Sequence, residues 1–319
     1  MADIVCLGIL VADIFGSPVD SPPAAGQLVS LDRYLLSAGG CACNTAADLR
    51  RLGHNPTVLG KVGDDLFGDF VLSDLKRLGI GTSFVKKSQS KPTSCTFILN
   101  VRGEDRRYIH CFGSNADFSI RDIEFKALEG ATALYVGGYL AMPAFRPEHL
   151  VELFQEARRR GMITILDVVI PAGSPSPMAD VHQALPYTDV FLPNDDEARA
   201  LTGRSDPLQQ AELFARINPE CTVVITQGRK GVLVRRGEQV IRAGIFKVDS
   251  IDESGSGDAF DAGFLAGILE GWGLEDSLRF ASAVGASCTR ALGCHEGVFS
   301  HDEALAFVAN NHLEIARLS

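Results

Sequence analysis

From about residue 131 the chain alternates short apolar runs with amphipathic stretches. Extended segments at 132–136, 162–167, 189–192 and 221–226 are separated by helical patterns at 147–160, 194–202 and 207–217, with a Pro/Ser-rich loop at 171–177. Apolar strands that each feed a helix before the next strand read as parallel neighbours, since parallel pairing needs a crossover long enough to hold a helix. A parallel sheet buries both of its faces, so helices must cover each side. The alternation therefore predicts an α/β chain with a doubly wound, mostly parallel sheet. A hairpin around Arg236-Gly237, a helix beginning at Gly257, one from Leu274 to Arg290 and a terminal one from His301 complete the second half. With 319 residues, 46% of them hydrophobic, the chain is expected to form a single large domain over 1–319.

The first half is less regular. Residues 3–8 read as a buried strand ending at Gly8, and Asp13 follows just past it, where open α/β sheets bind ligands. After the turn Ser21-Pro22-Pro23, residues 28–37 look extended. Gly39-Gly40 then opens a small-residue helix running to about Leu52, and a second helix is expected from Leu66 to Leu78. Segments 82–87, 93–101 and 106–112 are rich in Thr, Val, Ile, Phe and Tyr and read as strands, the last two joined by the turn Arg102-Gly103-Glu104-Asp105.

Chemistry concentrates at Ser254-Gly255-Ser256-Gly257-Asp258-Ala259-Phe260, a glycine-rich turn feeding a helix with small residues at Ala259, Ala262, Gly263 and Ala266. The amides of Gly255, Ser256 and Gly257 lack intrahelical acceptors and lie at the positive end of the helix dipole, so they can hold an anion. Asp258 beside such a site cannot bind phosphate, but it can take the proton of a hydroxyl that attacks one. The dipole is expected to keep Asp258 ionised at neutral pH. A capped helix with no further role fits the same heptapeptide. Asn194 and Glu197, three apart on one helical face, have the pattern of a capping box.

Several functions are excluded. The formal charge of −10, with no basic cluster longer than Arg158-Arg159-Arg160, argues against nucleic acid. No apolar run reaches a membrane span and the N-terminus has no signal features, so a cytosolic protein is expected. Eight dispersed cysteines without a C-x-x-C pair read as reduced thiols, and Cys41-x-Cys43 has no further metal ligands nearby in sequence. There is no P-loop motif, and Phe260 stands where a dinucleotide fingerprint needs its third glycine.

Residues 252–260 resemble the second signature of the ribokinase-like carbohydrate kinases, the PfkB family. Gly39 to Asn44, with Val62-Gly63-Asp64-Asp65-Leu66-Phe67-Gly68, resembles the first signature. Pro193-Asn194-Asp195-Asp196-Glu197 is similar to the family's Asn-x-x-Glu, and Thr226 to Gly231 to its Thr-x-Gly-x-x-Gly. The resemblance covers almost the whole chain. It implies Asp258 as catalytic base, the amides of Gly255, Ser256 and Gly257 as anion hole, and Asp13, Gly39, Gly40 and Asn44 in a sugar pocket. Asn194, Glu197, Thr226, Gly228 and Gly231 would serve ATP, Glu197 holding Mg²⁺ through water. Arg229 or Lys230 would meet a phosphate, and Ala283, Ala286 and the loop 291–294 would border the adenine. Asp252, with the loop 293–300, would hold K⁺ and make activity higher in K⁺ than in Na⁺. A small β-sheet lid from about 13–37 and 82–115 would cover the substrate and present a homodimer surface. The implied reaction is transfer of the γ-phosphate of ATP to a primary hydroxyl of a sugar or sugar-like acid. A nucleoside kinase and a non-catalytic binding protein on the same scaffold are the alternatives. Val11 and Cys41 stand where ribokinases carry Asn and Lys, which points away from ribose.

Overall fold

The computed structural model describes residues 3–31, 33–101, 106–173 and 177–318; the expected turn Arg102-Gly103-Glu104-Asp105 and part of the 171–177 loop lie outside them. The chain opens with β1 (Ile4–Gly8), β2 (Val11–Val19), β3 (Arg33–Gly39), α1 (Cys41–Arg51), β4 (Pro56–Leu59), β5 (Lys61–Gly63) and α2 (Leu66–Arg77). β6 (Lys86–Ser88), β7 (Cys95–Val101) and β8 (Arg107–Cys111) follow, and single helical turns between 113 and 128 lead to β9 (Ala133–Gly137). The second half runs α3 (Pro147–Arg159), β10 (Ile163–Leu166), α4 (Pro177–Ala184), β11 (Val190–Phe191), α5 (Asp195–Thr202), α6 (Pro207–Ile217) and β12 (Thr222–Thr226). It closes with β13 (Val232–Arg236), β14 (Gln239–Ala243), α7 (Ser256–Leu269), α8 (Leu274–Cys288), α9 (His301–Asn310) and β15 (Ile315–Arg317).

The main sheet has the order β15-β14-β13-β12-β11-β10-β9-β1-β4. From β4 to β12 every pairing is parallel, and β13, β14 and β15 extend it antiparallel. Alternation along β1 illustrates how both faces are filled. Ile4 and Cys6 pack into a cluster with α1, α2, α7 and α8, whereas Val5 and Leu7 pack into a second one with α3, α4, α5 and α6. All four side chains are fully buried, as a central parallel strand requires.

A four-stranded sheet, β3-β2-β7-β8, stands apart from this body. Asp13 pairs with Ser37 on β3 and Thr96 on β7, and Thr96 pairs with His110 on β8, so these four share one face. The opposite face carries the row Leu36, Ile14, Phe97 and Ile109.

Three expectations change. Asp13 lies past the end of β1 as expected, but inside a strand, β2, that the pattern did not show. Residues 82–85 form a turn closed by Val85 N to Thr82 O at 3.1 Å, and only 86–88 are extended, paired with β5 outside the small sheet. Their β-branched composition is overridden by tertiary context. The eight-residue α4 and the three-residue β15 were not read from the pattern, being too short for a period to establish itself.

Candidate active site

The glycine-rich turn and the double glycine meet at the centre of the molecule. Gly255 caps α7 in the left-handed region at φ 74°, and a Cβ there would lie 2.5 Å from the Cys294 carbonyl oxygen, so only glycine fits this turn. Gly257 and Asp258 are the second and third residues of α7, whose N–H groups have no intrahelical acceptor. Of the three amides expected to receive an anion, that of Ser256 is instead committed to the turn, donating to Glu253 O at 3.3 Å.

From the other side, α1 brings Asn44 against Asp258: Asn44 Nδ2 donates to Asp258 Oδ2 at 2.8 Å, joining residues 214 apart in sequence. Gly39 lets Asp13 approach, since a Cβ on Gly39 would lie 1.9 Å from Asp13 Oδ2. Thr96 bonds the Asp13 carboxyl and also lies 3.0 Å from His110 Nδ1. The Asp13 carboxyl is pushed up to about 7 by burial, opposed by the Thr96 bond and reinforced by Asp258. Burial lowers His110, which favours its neutral form.

Asp258 itself is shifted upward, opposite to the expectation from the helix dipole. Burial is the leading cause, and bonds from Asn44 and Cys41 offset only part of it. A helix terminus is worth about 0.3–1 kcal/mol, whereas burying a carboxylate can move it by several pKa units, so desolvation wins.

Asp167, just past β10, was not found by sequence reasoning because its partners come from other elements. Its Oδ2 accepts from Gly138 N at 2.9 Å, and its carboxyl, the Cys41 thiol and Asp258 have ligating atoms within 4.8 Å of one another. Those further ligands for Cys41 come from β10 and α7, not from its sequence neighbours; Cys43 lies instead toward Asp13 and Val11. Asp167, Glu197 and Asp261 are all raised, first by burial; Asp258 adds to all three, and Asp167 adds to Glu197 and Asp261. The centre thus gathers carboxyl groups that a cation would stabilise.

Asn194 and Glu197 form the capping box in full: Glu197 N donates to Asn194 Oδ1 at 2.9 Å and Asn194 N donates to Glu197 Oε2 at 2.8 Å. Glu197 nonetheless lies near enough to Asp167 and Asp258 to be raised by both. Asn194 also bridges to Thr226 at the end of β12.

A cleft of about 510 Å³ opens beside the start of α7. Thr226, Gly228, Arg229 and Gly231 line one wall, Ser256, Gly257 and Phe260 another, and Ser282, Gly285, Ala286 and Thr289 of the α8 region a third. Ala283, expected there, is instead fully buried in the core, and the 291–294 loop does not line the cleft. Arg229 pairs with Glu253 at 2.5 Å. Asp252 is buried with both oxygens engaged: Oδ1 accepts from Ser254 N (3.1 Å) and Ser254 Oγ (2.8 Å), and Oδ2 accepts from Gly293 N (3.2 Å).

A mostly parallel α/β sheet with a separate small sheet and an anion-ready helix start facing a cleft defines the architecture of the ribokinase-like kinases. Residues 1–299 match the model of the pfkB family carbohydrate kinases, and the chain belongs to that family. It is 27% identical over 314 residues to ribokinase from Haemophilus influenzae, covering 96% of this chain and 98% of that one. Adenosine kinase from Schizosaccharomyces pombe is 26% identical over 276 residues, covering 81% of each chain. Among solved structures, Arabidopsis thaliana ribokinase complexed with ribose and ATP shares the fold with a TM-score of 0.81, at 23% identity, over 98% of this chain and all of that one. The chain is thus a sugar kinase by family. Among the described residues no helix is long and apolar enough to cross a membrane.

Proposed function

We propose that the protein transfers the γ-phosphate of ATP to a hydroxyl, most simply a primary one, of a sugar or sugar-like substrate. The observation that carries this reading is the 2.8 Å contact between Asn44 and Asp258 at the start of α7, which unites two distant motifs at one point. Asp258 takes the hydroxyl proton, and its upward shift makes it a stronger base than a free carboxylate. The N–H groups of Gly257 and Asp258, on a turn that Gly255 makes possible, face the developing phosphate charge. Asp13 and Asn44, with the backbone of Gly39 and Gly40, hold substrate hydroxyls. The nucleotide occupies the cleft along Thr226, Gly228 and Gly231.

The residues fit a divalent ion: Glu197 keeps Oε1 outside its capping box and faces a carboxyl-rich centre, so Glu197 and Asn194 would hold the Mg²⁺ of Mg-ATP through water. Such an ion supplies charge neutralisation on the phosphates. A monovalent site on Asp252 fits less well, because protein donors already engage both oxygens of that carboxylate. Asp252 holds the Ser254 turn to the loop at Gly293, and Asp252→Ala is expected to lower turnover in K⁺ and Na⁺ alike. A loss confined to K⁺ would restore the side chain as an ion ligand.

A second reading, phosphorylation of a nucleoside, is favoured by the likeness to adenosine kinase. The intact Asn44–Asp258 pair argues against a non-catalytic binding protein. ADP release, measured with Mg-ATP across pentoses, ketohexoses, sugar acids, sugar phosphates and nucleosides, tests the proposal. Release that depends on one acceptor class supports it and chooses between the readings; nucleotide binding with no turnover on any acceptor would contradict it.

The apolar row Leu36, Ile14, Phe97 and Ile109, with Phe97 48% and Ile109 64% exposed, continues to Tyr34 at 76%. A second copy of the chain is the occupant proposed for this face, making the small sheet both lid and dimer surface.

A further inference from the structure

The face of α1 that carries Asn44 also carries buried oxygen atoms without hydrogen-bond partners: Asn44 Oδ1, Thr45 Oγ1 and both carboxyl oxygens of Asp48. Asn44 is 4% exposed, and Thr45 and Asp48 are fully buried. Buried polar groups are rarely left unpaired, so this group requires an explanation. Asp48 stands four residues after Asn44 and three after Thr45, which places its carboxyl beside both on the helix surface. The titratable groups that act on it or face it are Asp258 at the start of α7, Glu296 in the loop after α8, Cys288 on α8 and Arg51 on α1.

The count of donors and acceptors decides the state of the group. An ionised Asp48 only accepts, and so does Asn44 Oδ1, so the two could not pair. A neutral Asp48 has an O–H to give Asn44 Oδ1, and both of those groups then have a partner. Asn44 Nδ2 is already engaged on Asp258 at 2.8 Å.

We propose that Asp48 is a positioning residue: as the neutral acid it donates its hydroxyl to Asn44 Oδ1 and so holds the Asn44 amide with Nδ2 toward Asp258. If the amide turned over, its carbonyl oxygen would oppose the carboxylate that is to accept the proton. The electrostatics agree, since burial pushes the Asp48 carboxyl well above the usual carboxylate range, Asp258 and Glu296 push it further, and only Arg51 opposes them. The inference rests on Asp258 and Asn44 acting as proposed above.

Two substitutions separate positioning from packing. Asp48→Asn keeps the size and an N–H donor; Asp48→Leu keeps the size and removes the donor, and Asp48→Ala replaces it should the leucine variant fail to fold. The reading is kcat/KM against pH with an acceptor that supports ADP release, alongside thermal melting. Asp48→Asn is expected to restore wild-type kcat/KM within about threefold, while Asp48→Leu loses about tenfold or more, the worth of one oriented hydrogen bond, without melting lower. Wild-type activity should decline at alkaline pH as Asp48 ionises, and Asp48→Asn should lose that decline. Equal losses in both variants, or loss in neither, would overturn the proposal. Unchanged turnover in Asn44→Ala and Asp258→Asn would instead remove the reading beneath it.

Discussion

The residues proposed for the site differ in how openly the sequence displays them. Asp258 is legible through the likeness of residues 252–260 to a family signature, since the heptapeptide by itself fits a plain capped helix equally well. Asp48 and Asp167 are not, because one looks like an ordinary helix position and the other like a loop residue until α1, β10 and α7 converge. The direction of the Asp258 shift was likewise illegible, since burial depends on all the elements around it. Asp13 offers a test of this burial. Its folded-state value of about 7 exceeds the ordinary 3.8, so the folded chain holds that proton more tightly than the unfolded one. Its contribution to stability is then complete below about pH 4 and is lost as pH rises through about 7. Asp13→Asn, which removes the charge and keeps the shape, should melt above wild type at about pH 8 and level with it near pH 4. A difference that does not vary with pH would place Asp13 in a solvated environment.

Among the elements, the pairing of α7 with α8 sets the position of Asp258. The small residues of α7 were visible as a pattern, but the partner they accommodate was not. Gly263 proves to lie against α8, where a Cβ would stand 2.8 Å from Ala281 Cα and 3.1 Å from Val284 Cβ. Gly263→Ala is therefore predicted to destabilise the fold by about 1–3 kcal/mol in urea titration, as overpacking does. Gly244→Ala, where the added carbon would meet only Glu314 at an ordinary 3.8 Å, serves as the control and should have little effect. Similar values for the two would mean that α7 and α8 are not in close contact there. The long amphipathic elements were read within a residue or two, because burial on one face leaves a period. Segment 82–85 is misread as a strand and 177–184 carries no reading, because each is too short to show one.

At the scale of the whole molecule, the sequence order of strands and helices was sufficient for the layered α/β body, but the small sheet draws its strands from both sides of α1 and α2 and its register lies beyond a linear reading. Its outer row predicts self-association: the wild-type protein should sediment as a dimer, and Phe97→Asp with Ile109→Asp as a monomer. Identical sedimentation of both would exclude that face as the interface. The central claim concerns the meeting of α1 and α7, where Asn44 reaches the proposed base. Its most direct test is turnover by Asp258→Asn, with ATP binding measured on the same preparation by titration. Folding and ATP affinity close to wild type, with kcat lower by about 10²- to 10⁴-fold, is the predicted result; turnover near that of the wild type would contradict it.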